Sequence, residues 1–315
     1  MVAGAGRAAN IAAPAERGRV SRMTRMLESE KLLATVLLVP GLAILLVFIA
    51  YPFVMAIWYS LTSISVGDPG EFVGLDNFAK ALDDSIFQIA FKNTVFYTFW
   101  ATIFKLALGM WLALLLNHSF RFKRIVRASM LLPFIVPTVL SAFAWRWMFD
   151  PTFSVMNWLL YHSGVISDRL PFLSDGDWAM WCAVLVNTWR GMPFFAITLL
   201  AGLQTISPDL HEAAALDGAN AWNRYWHVTW PLLLPVTLVV VVFSVIQTFS
   251  DFQLIYVLTG GGPANSTHLI ATYAYQVGVA SGSLGEGAAL SLFMFPVLFA
   301  VVWVQLRFMK RMEGH

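Results

Sequence analysis

A few polar side chains stand inside long apolar stretches, where each is expensive. Ser244, Gln247 and Asp251 follow one another at i, i+3 and i+7, which on a helix is a single face. Asn187 and Arg190 share a face of another apolar segment, just ahead of Gly191 and Pro193. A carboxylate and a guanidinium in so apolar a setting need partners, and Asp251 and Arg190 are natural partners for each other. With Ser244, Gln247 and Asn187 they supply both donors and acceptors, and Trp189, Phe194, Phe249, Phe252 and Tyr256 lie near enough in sequence to add aromatic faces. That is the equipment for holding a hydroxyl-rich ligand with an apolar ring side. Two readings stay open: an ion pair bracing two helices, and a path for a polar solute. Arg146, between Trp145 and Trp147, reads as an interfacial anchor, and Lys105 as snorkelling to the head groups or pairing within the bundle.

Bond-making chemistry is missing from the inventory. His211 and Glu212 begin an HExxH pattern, but position 215 is Ala, so the second metal ligand is absent. There is no GxxxxGK[ST] phosphate loop, no GxSxG elbow and no paired-cysteine motif. The single cysteine, Cys182, sits in an apolar segment and reads as a packing residue. No catalytic residue, cofactor or metal is expected in this chain.

The elements that must position these groups are membrane helices. Of the 315 residues, 58% are hydrophobic and only 12% charged, about half the usual charged share, which excludes an ordinary soluble domain. Six spans are expected, at about 32–61, 93–117, 128–149, 178–203, 232–258 and 287–306, giving an all-α bundle. Residues 1–30 are rich in Ala, Gly and Arg and read as a flexible basic tail; 31–315 read as one transmembrane domain. A short amphipathic helix is expected around Asn77 to Leu82, and Gly260 to Pro263 should stop the fifth span.

Between the fourth and fifth spans lies an insert too polar for lipid, residues 207–231, whose core reads HEAAALDGANAWNRYWHVTWP. Glu212 to Leu216 favour a helix, Gly218 suits its end, and Asn220 suits the cap of a second short helix. An even number of spans puts both termini on one side. Fourteen of the twenty Lys and Arg fall in the tails and in the loops on that side, against Lys80, Lys92 and Arg169 in the opposite loops. The excess predicts that the insert and both termini are cytoplasmic. The net charge of +2 gives no sign of a nucleic-acid partner, and none is expected.

Glu212, Ala213 and Ala214, followed at a fixed distance by Asp217, Gly218 and Ala219 and then by Pro231 and Pro235, resemble the EAA loop in permease subunits of bacterial ABC importers. Val73 to Phe78 (VGLDNF) and Leu258 to Pro263 (LTGGGP) extend the resemblance to the maltose-type carbohydrate permeases, specifically the first permease of the pair, from about residue 32 to the end. Trp230 stands where Leu or Ile is common in that loop, and Tyr225 where Phe is common. The resemblance implies a multi-pass protein of the bacterial inner membrane that imports a sugar or oligosaccharide by alternating access. It also implies three partners: a second permease forming a heterodimer, an ABC ATPase dimer that binds ATP and Mg, and an extracytoplasmic substrate-binding protein. Glu212 to Gly218 would then be the helix that couples to the ATPase. An importer of a polyol or glycerol phosphate is the neighbouring alternative. The alternative from another class is an ion-coupled carrier, which would show paired broken helices and several intramembrane carboxylates; Asp251 is the only clear intramembrane acid.

Overall fold

The computed structural model describes residues 30–118 and 121–313, so all but the last residue of the expected tail at 1–30 lies outside the described residues. The chain forms two compact units, one ending at Met55 and the other beginning at Ala56. The first unit holds α1 (Glu30–Leu45), a π-helical turn (Leu46–Ala50) and the start of α2 (Tyr51–Ser60). Pro52 has no N–H to offer the carbonyl four residues back, at Phe48, and the widened turn falls where that carbonyl lies idle. Leu33–Ser60 is long and apolar enough to cross a membrane.

The second unit opens with an extended segment and a short helix, α3 (Asp76–Asp83), as the amphipathic pattern predicts. Asn77 of the VGLDNF string is 2% exposed, and its amide donates to the carbonyls of Ser60 (3.0 Å) and Thr62 (2.8 Å). It therefore satisfies carbonyls left over at the end of α2. Asn77→Ala should strand both and lower stability by about 2 kcal/mol, read as a lower melting temperature of the purified protein.

Two long helices carry the core. α4 (Ser85–Asn117) begins at an Asp84 cap and α8 (Gly176–Leu203) at an Asp175 cap. They pack closely because small residues line the seam: Ala101, Ala113, Ala183 and Ala196 are fully buried, and a Cβ on Gly109 would collide with Phe195. Close backbone approach through small side chains is how helices associate where lipid removes the hydrophobic drive.

The expected third span, 128–149, is two helices, α5 (Lys123–Ile135) and α6 (Thr138–Met148), bent by 91°. Pro137 holds Val136 in an extended conformation between them. α7 (Val155–His162) precedes α8. After α8 come α9 (Pro208–Leu216), α10 (Ala221–Arg224), a π-helical turn (Tyr225–Thr229) and α11 (Trp230–Phe249). The second "short helix" of the insert is thus the first turn of a continuous 29-residue helix, Ala221–Phe249.

The fifth span also ends earlier than expected. The helix stops at Phe249, and a separate α12 (Gln253–Leu258) follows, packed against α6 and tied to it by Arg146, whose Nη1 donates to the Val257 carbonyl at 3.2 Å. Then come α13 (Ile270–Tyr275), a third π-helical turn (Gln276–Ala280), α14 (Leu284–Leu292) and α15 (Met294–Glu313). Five of the helical stretches are long and apolar enough to span, six if the bent pair counts as one, and the described residues contain no named strand.

Candidate functional site

The break after Phe249 builds the site. Asp251 is displaced from the α11 face that Ser244 and Gln247 share, which corrects the single-face expectation. Its Oδ1 accepts from the Leu254 backbone N–H in the first turn of α12 at 3.2 Å. Its Oδ2 accepts from the Tyr97 hydroxyl on α4 (2.8 Å) and the Asn187 amide on α8 (3.1 Å). The anticipated Asp251–Arg190 ion pair is absent: among the described residues Arg190 has no ion pair within 4.0 Å. Two neutral donors, one of them the fully buried Tyr97, occupy the carboxylate instead.

Lys105 points inward. Its Nζ donates to Thr248 Oγ1 at 2.8 Å, and only 4% of the residue is exposed. Gly191 makes this possible, since a Cβ there would overlap Lys105 Cδ. The pairing alternative for Lys105 therefore holds and the snorkelling one does not.

These groups surround a cavity of about 480 Å³. Asn187, Arg190, Ser244, Gln247 and Asp251 all line it, as do Lys105, Thr138, Thr248 and the rings of Phe134, Phe194, Phe243 and Phe252. Phe194 lies between Phe134 (5.7 Å) and Phe243 (5.2 Å). Tyr256 stands outside the lining, stacked on Phe252 at 4.9 Å. Trp189 packs on Trp145, and Phe249 is buried in a separate core cluster. Lys105 and Tyr97 were not among the ligand-path candidates because they belong to α4, remote in sequence. A Ser–Asp pair such as Ser250–Asp251 is the one local signal able to mark the break.

Among the described residues eight buried side-chain N or O atoms have no hydrogen-bond partner, and three of them, Asn187 Oδ1, Arg190 Nε and Ser244 Oγ, belong to residues that line this cavity. Native interiors leave few such atoms, and each calls for a reason. A larger hollow, about 770 Å³, lies along residues 151–169. No atom of its lining is left in that state, and its Asn157 is fully engaged, exchanging two hydrogen bonds with the Leu170 backbone.

At the other end of α11 the insert is a defined structure. Ser207 caps α9, accepting from Asp209 N–H at 3.3 Å. The helix closes through Gly218 N–H to Ala215 O (3.1 Å) and Ala219 N–H to Ala214 O (2.9 Å), with Gly218 at φ +84°. This is the paired 5→2 and 6→1 helix stop that a left-handed residue permits, and it accounts for the spacing between Ala214–Ala215 and Gly218–Ala219. Asn220 then caps the long helix through Asn223 N–H at 2.9 Å. Glu212, Ala213, Leu216 and Asp217 are exposed, Leu216 to 90%.

Residues 105–314 match the family described as binding-protein-dependent transport system inner membrane component. The chain is 35% identical to the sulfoquinovosyl glycerol transport system permease protein SmoG of Agrobacterium fabrum, covering 93% of this chain and 95% of that one. It is 34% identical to the trehalose/maltose transport system permease protein MalF of Thermococcus litoralis, over 88% and 94%. In fold it is similar to a chain in the crystal structure of a bacterial ABC transporter involved in import of the acidic polysaccharide alginate. There the TM-score is 0.78 at 24% identity, covering 92% of this chain and 99% of that chain.

Proposed function

The chain belongs to the family of binding-protein-dependent transport system inner membrane components and is a permease subunit of an ABC transporter; from that premise we propose that it carries a sugar or oligosaccharide into the cytoplasm through the cavity between α4, α8 and α11. The observation that carries this reading is the convergence of the unpartnered Asn187 Oδ1, Arg190 Nε and Ser244 Oγ on one cavity. Buried polar atoms left open in this way are satisfied when a hydroxyl-rich ligand arrives. The phenylalanine rings offer faces to its apolar side. SmoG and the Thermococcus permease carry names of glycosidic solutes, in line with a sugar.

Energy reaches the cavity from the insert. We place Glu212 to Ala219 in the cytoplasm, where the Lys and Arg excess puts it together with both termini, and read α9 as the element that seats in an ABC ATPase dimer. ATP and Mg are held there and not in this chain. The 29-residue helix Ala221–Phe249 then acts as a rod. Ser244 lies 23 residues beyond Ala221, about 35 Å along the axis, so a rigid-body shift of the insert moves the cavity wall. A second permease forms the other wall and an extracytoplasmic binding protein delivers the solute. Affinity purification of the tagged chain from its native membranes should bring down an ATPase and a second permease. A lone chain that still transports would overturn the reading in favour of an ion-coupled carrier.

A further inference from the structure

The cavity's charges are unbalanced, and we propose that it selects an anionic glycoside, one bearing a carboxylate, sulfonate or phosphate, over its neutral counterpart. This inference rests on the sugar-path reading above. Two basic side chains, Lys105 and Arg190, line the cavity with a single carboxylate, Asp251. That carboxylate is already committed to Tyr97, Asn187 and the Leu254 N–H. Among the described residues Lys105 donates to one group, the neutral hydroxyl of Thr248. Arg190 has neither an ion pair within 4.0 Å nor a partner for its buried Nε among the described residues.

Packing does not explain the surplus. The Lys105 stem fills the groove over Gly191, but a Met or Leu would fill it without burying an ammonium, and apolar replacements of buried charges are commonly neutral or stabilising. A neutral sugar would satisfy open donors but leave the extra positive charge uncompensated. An anionic substituent satisfies both, through the stronger charge-assisted hydrogen bonds.

The test uses the assembled, purified transporter without nucleotide or binding protein and a matched pair of probes, methyl β-D-glucuronide and methyl β-D-glucoside, which differ at the carboxylate. Binding is read by calorimetry and by the ligand-induced rise in melting temperature. The glucuronide should bind about tenfold or more tightly than the glucoside. Arg190→Gln and Lys105→Met should each erode that preference, and Arg190→Lys should retain it. Equal binding of the two probes, or a preference unchanged in both charge-removing variants, overturns the anion selectivity while leaving the sugar path standing. Binding of neither probe overturns both readings together.

Discussion

Glu212→Arg and Gly218→Pro should leave the subunit in the membrane at normal abundance and abolish both uptake and transport-coupled ATP hydrolysis. Gly218 sits at φ +84°, a conformation that costs a residue with a Cβ about 1–2 kcal/mol and that proline, held near φ −65°, is unable to adopt. Proline would also delete the Gly218 N–H bond to the Ala215 carbonyl, so the turn between α9 and the long rod unwinds and the rod loses its handle. Glu212 acts differently. It is exposed on a helix that buries none of its own residues, so its reversal leaves the fold untouched and acts on whatever the helix seats against. Leu216, 90% exposed, is the apolar side chain most in need of cover on this helix, and Leu216→Asp should mimic Glu212→Arg. Loss of one central contact weakens an interface by about 2 kcal/mol or more, roughly thirtyfold in affinity. Uptake and ATPase rates in proteoliposomes check this. Normal uptake by Glu212→Arg at normal expression would remove α9 from the coupling role.

The parts of this molecule that were legible in sequence are those governed by local rules. Hydropathy finds the long helices, and the Gly218 and Asn220 signals mark the end of α9 and the start of the rod where they occur. Tertiary demands override the pattern at two places. Residues 128–149 are predominantly apolar, yet Pro137 bends them by 91°. Residues 232–258 read as one span, yet the chain breaks at 250–252 because Asp251 finds three donors there, from α4, α8 and the start of α12. Those partners are remote in sequence, and no periodicity reports them. The same limit hid Lys105, whose inward course depends on Gly191 of α8 leaving room. Membrane position argues that an intramembrane charge is functional or paired; only the packed structure tells which carboxylate is engaged and which cation is left open.

Contrasting behaviour at Asp251 and Gln247 should separate support from substrate contact. Asp251→Ala removes the acceptor for the Tyr97 hydroxyl, the Asn187 amide and the Leu254 N–H, three donors that tie three segments together. Tyr97 is fully buried, and unsatisfied buried donors cost about 1–3 kcal/mol each. A loss of about 3 kcal/mol or more is expected, seen as a marked fall in melting temperature and in the amount of assembled complex, with uptake falling in step with folded protein. Gln247 faces the cavity, is exposed, and has no hydrogen-bonding partner among the described residues. Gln247→Ala should therefore leave the melting temperature unchanged, within the roughly ±0.5 kcal/mol of an ordinary exposed substitution, while raising the apparent KM for uptake about fivefold, the worth of one neutral hydrogen bond near 1 kcal/mol. Unaltered uptake kinetics in Gln247→Ala would take this face of α11 out of the path, and a wild-type melting temperature in Asp251→Ala would show that the helix break does not depend on its carboxylate. If both outcomes are as expected, the bracing and the solute-path readings each hold, for different residues of one cavity wall: Asp251 keeps the wall in place, and its neighbours on α8 and α11 present the open donors and acceptors that a solute meets.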